Sequence, residues 1–267
     1  RSPGSRRVRK GDDMSHVAVE LTGRIARIEL ARPERRNALT GEMYQALSGA
    51  LSRAEADDGI RAVLLHGRPD CFSSGNDLED FLRRDLRVES PALGFLRTIA
   101  AAKKPIVAAV GGPAVGIGTT MLLHCDLVYA AAGARFQLPF VPLGLVPEAA
   151  SSLLLPMRAG YARAAELLLL GEPFGAEKAL AAGIVTAVVP EGELMETARA
   201  AALKLAALPP VSVRLTKELM KRPHAQAVAS QMAEEGRIFA ARLSSREAKE
   251  AMSAFLEKRK PDFSKLP

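Results

Sequence analysis

Three stretches of the 267-residue chain carry residues whose types and spacing suit chemistry. LGLVPEAASSLLLP, residues 143–156, is apolar except for one carboxyl, Glu148, set between Pro147 and two alanines. An acid there has two readings. It complements the dipole at the start of a helix through AASSLLLP, or it transfers protons, with a pKa that an apolar pocket raises. The other two stretches, CFSSGNDLEDF (71–81) and GGPAVGIGTT (111–120), are glycine-rich loops. The second is not a dinucleotide fingerprint, because Gly116-Ile117-Gly118 runs into Thr119, Thr120 and Met121, and no Gly-Lys-Ser/Thr of a phosphate loop exists. A loop that leaves a strand and opens a helix still presents backbone N–H groups at a positive dipole end. Two such loops after neighbouring strands aim two donors at one oxygen, an oxyanion hole; the alternative is that the glycines only permit tight turns.

The elements that must position these residues follow from periodicity. HVAVELTGRIARIEL alternates on both sides of Thr22-Gly23 and predicts a hairpin. Thr40 caps a helix through TGEMYQALSGALSRAEADD. AVLLHG (62–67) and IVAAV (106–110) are buried strands of the kind covered on both faces, and DLVYA (126–130) follows the helix-like GTTMLLHC. Strands alternating with helices make an α/β core. From about 148 helices dominate, apart from a brief strand at IVTAVV, and three helical stretches close the chain to Phe255. The division expected is a core over 14–190 and a helical C-terminal region over 191–267, with residues 1–13 outside the fold.

Composition narrows the function classes. The chain is 48% hydrophobic and 25% charged, and no apolar run reaches the roughly 18 residues of a spanning helix. Cys71 and Cys125 sit in apolar runs and read as reduced small hydrophobes. Of the +7 formal charge, +3 falls in RSPGSRRVRKGDD, read as a leader appended before Met14 or a transit-peptide remnant. With three Tyr and no Trp there is no stacking surface for nucleic acid, so a small phosphate site or a solvated tail accounts better for Lys258, Arg259, Lys260 and Lys265. No His/Cys/Asp cluster has metal spacing. SKL lies before Pro267 rather than at the end, and the expected location is a bacterial cytoplasm rather than a peroxisome or mitochondrion.

FSSGND (72–77), AAVGGPAVGIG (108–118), CDLVYA, FQLPFVPLGLVPE (136–148) and AFLEKRKPDF (254–263) together resemble the crotonase superfamily of enoyl-CoA hydratases and isomerases, over about Val17 to Phe263. The resemblance implies a crotonase (ClpP-like) fold, with a core of repeated strand-strand-helix turns and a helical C-terminal region used for trimer packing. It implies an acyl-CoA substrate, homotrimers or hexamers made of two trimers, and no cofactor beyond the CoA of the substrate. The oxyanion N–H groups fall on Asn76 and on Ile117, where a glycine is usual. Ser74, Gly75, Asp77, Leu78 and Gly116, with Asn76, fall among the substrate- and CoA-binding residues. Arg35, with Arg32 and Arg36 as alternatives, falls near the CoA phosphates, and Phe255 and Lys258 meet adenine and the 3′-phosphate, in a neighbouring subunit. Gly111 stands where an Asn is usual.

In hydratases of this superfamily two glutamates handle water, and the resemblance places them at Thr120 and Phe140, neither of which transfers a proton usefully. Glu148 then gains a role. VPEAASS matches the position of the single base in the peroxisomal-type 3,2-enoyl-CoA isomerase branch, so the expected activity is isomerisation, with a hydratase or a non-catalytic acyl-CoA binding module as alternatives. Asp77 reads mainly as a turn hydrogen-bonder, His66 and His124 as core or surface histidines, and Ser244-Ser245-Arg246-Glu247 as a capping box.

Overall fold

The computed structural model describes residues 16–77, 79–80, 89–257 and 259–264. Strand β1 (Val17–Thr22) pairs antiparallel with β2 (Ile25–Leu30). Gly23 and Arg24, both at positive φ, make the tight turn between them. Thr40 caps α1 (Gly41–Ala56) by accepting from the Met43 N–H at 3.3 Å. The strands β3 (Ala62–His66), β4 (Ile106–Val110), β6 (Leu127–Ala131) and β9 (Ala187–Val189) then join in parallel, in the order β1-β2-β3-β4-β6-β9. A second sheet is built from short strands, β5 (Pro113–Val115), β7 (Arg135–Gln137) and β8 (Phe174–Gly175).

The period of two along a strand explains why β3 and β4 are apolar throughout. Val63, Leu65, Ile106, Ala108 and Val110 join the main core with Met43 and Leu47 of α1 and with Phe95 and Ile99 of α2 (Pro91–Ala101). Leu64, Val107 and Ala109 point to the opposite face. The chain reaches that face after short helices α3 (Ile117–Thr120), α4 (Ser151–Ala159), α5 (Tyr161–Ala165) and α6 (Ala176–Ala181). There α7 (Leu194–Ala207) lays Ala198, Ala202 and Ala206, four apart, on the sheet.

Three more helices follow, α8 (Pro210–Lys221), α9 (Ala225–Leu243) and α10 (Arg246–Leu256). A buried cation ties α8 to the core. Lys217 Nζ donates to Asp126 Oδ2 at 2.6 Å and to the Lys104 carbonyl at 2.8 Å, while the same Asp126 oxygen accepts from the Ile106 N–H. The cap of α10 differs by one residue from the sequence expectation. Ser245 Oγ, not Ser244, accepts from the Ala248 N–H, and Glu247 turns away to pair with Arg242. Both cysteines are free and buried. Among the described residues no helix is long and apolar enough to cross a membrane.

Candidate active site

The loops leaving β3 and β4 lie at the carboxyl ends of neighbouring parallel strands, the edge of such a sheet where ligands gather. Main-chain bonds join them. Phe72 N and Ser73 N donate to the Pro113 carbonyl at 3.1 and 3.0 Å, and Val115 N donates to the Ser73 carbonyl at 3.0 Å. On its other side the first loop pairs with Leu39, whose N–H donates to Gly75 O and whose carbonyl accepts from Asp77 N. That alternation leaves the N–H of Asn76, between them, aimed away from Leu39, and it has no backbone acceptor among the described residues. Gly75 is required here twice over: its φ is +93°, and a Cβ would stand 2.9 Å from Val115 O. In the second loop the Gly116 carbonyl accepts from Thr119 and Thr120, opening α3, so Ile117 at its first position has no intrahelical acceptor for its own N–H. Sequence reasoning missed one partner of this loop pair. Tyr44 of α1, buried, donates its hydroxyl proton to Asn76 Oδ1 at 2.5 Å and holds that residue from behind.

Glu148 is not in the first turn of a helix; α4 begins three residues later at Ser151. Between them the backbone is left-handed at two successive alanines, Ala149 (φ 64°) and Ala150 (φ 56°). Each such non-glycine residue costs on the order of 1 kcal/mol, so the turn persists only because its polar groups are held. His124 Nε2 donates to the Ala149 carbonyl at 2.9 Å. Glu235 of α9 accepts from Ala150 N at 2.5 Å and from Ser152 N at 3.0 Å, and Ser152 Oγ donates to it as well. The Glu148 side chain itself is buried, and its Oε1 has no hydrogen-bond partner among the described residues. Burial first, and the charge of Glu235 second, push its pKa up to about 8. The residues from 117 to 124 connect the two halves of the site, with an Ile117 N–H that has no backbone acceptor among the described residues and the tether of the Glu148 turn at His124.

Comparison with known proteins gives the family. The family description "Enoyl-CoA hydratase/isomerase" matches residues 20–265. The chain belongs to the enoyl-CoA hydratase/isomerase family. It is 38% identical to enoyl-CoA delta isomerase 2 of Rattus norvegicus over 94% of its length, which corresponds to 66% of that protein. It is 32% identical to 2,3-dehydroadipyl-CoA hydratase of Escherichia coli, covering 94% of this chain and 99% of the other. Among solved structures it resembles an enoyl-CoA hydratase/isomerase from Pseudoalteromonas atlantica T6c, with a TM-score of 0.89 and 46% identity over 93% of this chain and 99% of that one. The fold is that of the crotonases, α/β with a helical C-terminal region.

Within this family's frame the other expected residues take distinct places. Thr120 and Phe140, where the resemblance places the hydratase acids, are buried; Thr120 Oγ1, like Ser151 Oγ, has no partner among the described residues. Asp77 is occupied by the protein, its Oδ2 accepting from Arg32 Nη1 at 2.6 Å and its Oδ1 from Asp80 N. These bonds hold its carboxyl below the usual range against the opposing effect of burial, which is the largest single influence on it. Arg32 is thereby engaged. Arg35 is exposed, with Glu79 3.6 Å away, and is the freer of the two cations. Ser74 Oγ donates to the Arg35 carbonyl at 3.4 Å. His66 is a core residue, accepting from Arg27 Nε at 2.6 Å, and burial lowers its pKa. Gly111 has a steric reason: a Cβ would lie 2.2 Å from the Pro69 carbonyl, so the turn over Arg68–Cys71 excludes the family's usual asparagine. Leu78 and Lys258, and the side chain of Phe255, lie outside the described residues.

Proposed function

We propose that the protein is a 3,2-enoyl-CoA isomerase, moving the double bond of an unsaturated fatty acyl-CoA from C3–C4 to C2–C3 with Glu148 as its single base. The observation that carries this reading is one buried carboxyl with an oxygen unpartnered among the described residues, in a turn tethered to the short helical segment that opens at Ile117; the resemblance, which puts Thr120 and Phe140 where a hydratase has its acids, supports it. Glu148 removes a C2 proton. The C–H electron pair forms the C1–C2 π bond of the enolate, and the carbonyl π pair moves to oxygen, facing the N–H groups of Asn76 and Ile117. When the carbonyl re-forms, the pair makes the C2–C3 double bond and the former C3–C4 π electrons take the proton from Glu148 at C4. Atoms are conserved, and the only cofactor moiety is the CoA of the substrate. A hydratase needs a second proton-transfer group near the first; Glu235 is a second buried carboxyl, but Ala150 and Ser152 engage both of its oxygens. Trimers, alone or paired as hexamers, are part of the proposal, supported by Val211, Leu215 and Leu219 of α8, spaced four apart and each more than half exposed. A bacterial cytoplasm is the proposed location.

The test is incubation with 3-hexenoyl-CoA, following the ultraviolet absorbance of the conjugated 2-enoyl thioester, with crotonyl-CoA hydration run in parallel. Conjugation without hydration, abolished by Glu148→Gln, is the expected result. Hydration of crotonyl-CoA favours the hydratase instead; silence in both assays with retained acyl-CoA binding favours a binding module.

A further inference from the structure

We infer that Glu235 is a positioning residue for the base: from α9, 85 residues beyond Ala150, its carboxylate closes the left-handed turn that aims Glu148 and sets the charge against which Glu148 works. The inference rests on the reading of Glu148 as the base. Three donors converge on Glu235. Ala150 N reaches Oε2, and Ser152 N and Ser152 Oγ both reach Oε1. Gln231, one helical turn earlier on α9, donates to Ser152 Oγ at 2.8 Å, which leaves the serine proton free to point at Glu235. Burial raises the Glu235 pKa, and the three donors oppose that by favouring the anion. Glu148, by contrast, has an oxygen without any donor among the described residues. Of the two neighbouring buried acids, Glu235 therefore keeps the charge and Glu148 carries the exchangeable proton. The remaining titratable groups around the turn do not replace it. Tyr44 from α1 is held in its protonated form by burial and by Glu148, and His124 is kept neutral, with burial pushing its pKa down to about 4.

The charge of Glu235 has a chemical consequence. It disfavours a second anion at Glu148 and so raises the affinity of Glu148 for the substrate's C2 proton, which favours the enolate step. The turn has a geometric consequence, since a misplacement of about 1 Å in a base costs on the order of 10²-fold in rate.

The experiment is the pH profile of kcat/KM on 3-hexenoyl-CoA for wild type, Glu235→Gln and Ser152→Ala, with circular dichroism to verify folding. In wild type the acidic limb is expected to centre on about 8, the value to which burial and Glu235 push Glu148. Glu235→Gln is expected to move that limb to lower pH and to lower kcat on the order of 10²-fold, with KM little changed because both oxygens of Glu235 are engaged by Ala150 and Ser152. Ser152→Ala keeps the charge, so the limb stays while kcat falls by less. A wild-type limb and kcat in folded Glu235→Gln would overturn the inference. Should that variant not fold, Ser152→Ala decides through kcat, and an unaltered kcat overturns it. Glu148→Gln separates the two proposals: if it isomerises, the base assignment fails, whereas an inactive Glu148→Gln beside an unchanged Glu235→Gln removes Glu235 alone.

Discussion

At the scale of the residue, Glu148 combines a cost with a use. A carboxyl with an unpartnered buried oxygen is held mainly in its protonated form near neutrality, because burial and Glu235 both oppose its charge. Its folded pKa of about 8 lies above the usual carboxylate value, so the native state binds a proton more tightly than the unfolded chain does. The stability this contributes is full below about 4.5 and is lost as pH rises toward 8. Thermal unfolding should therefore show Glu148→Gln gaining on wild type by a few kcal/mol across that window; parallel curves would mean that Glu148 titrates normally. Glu148 itself was legible, since a single acid in an apolar stretch is conspicuous. Its supports were not. Glu235 sits beside exposed Glu234, which pairs with Arg237, and in sequence the two look like one solvated acidic pair. Tyr44 reads as a core position of an amphipathic helix and His124 as a core histidine; only the fold shows that each bonds to a site residue.

At the scale of the element, the loops after β3 and β4 matter more than the helices around them. Gly111 and Gly112 let the turn over Arg68–Cys71 cross the second loop, with Cβ positions 2.2 and 2.0 Å from the carbonyls of Pro69 and Asp70. Restoring the family's usual residue with Gly111→Asn should then push the first loop away, costing about 2 kcal/mol or more in denaturant unfolding and lowering turnover. Unchanged stability would show that the turn can move aside without penalty. The parallel strands were legible because both faces of the sheet are covered, which makes them continuously apolar. The second sheet was not: β5, β7 and β8 are two or three residues long, too short for an alternation to register. Helix α2 was also unread. The α10 cap was read one serine early because either serine of Ser244-Ser245 suits an N-cap, and the pairing of Glu247 with Arg242 favours the later one.

At the scale of the whole molecule, the helical C-terminal region is part of the site's foundation. It contributes Glu235, and Lys217 anchors it under β4 through Asp126 and the Lys104 carbonyl. Lys217→Met removes the cation and leaves Asp126 with the Ile106 N–H as its remaining donor, so a loss of about 3 kcal/mol in unfolding free energy is expected. A variant as stable as wild type would show that this anchor is dispensable. Size-exclusion chromatography with light scattering checks the proposed trimer or hexamer, and a monomer at micromolar concentration would refute it. One feature reaches beyond this molecule. The two loops are joined by main-chain bonds, from Phe72 and Ser73 to Pro113 and from Val115 to Ser73, and the two proposed donors are main-chain N–H groups. On the proposed reading, the grip on the thioester oxygen is thus encoded in backbone, while what distinguishes one reaction from another rests on the side chains that move protons. Away from the glycines that the close approach of the loops requires, descendants can exchange side chains without dismantling the paired donors, and a lineage can exchange one chemistry for another by changing where its carboxyls stand.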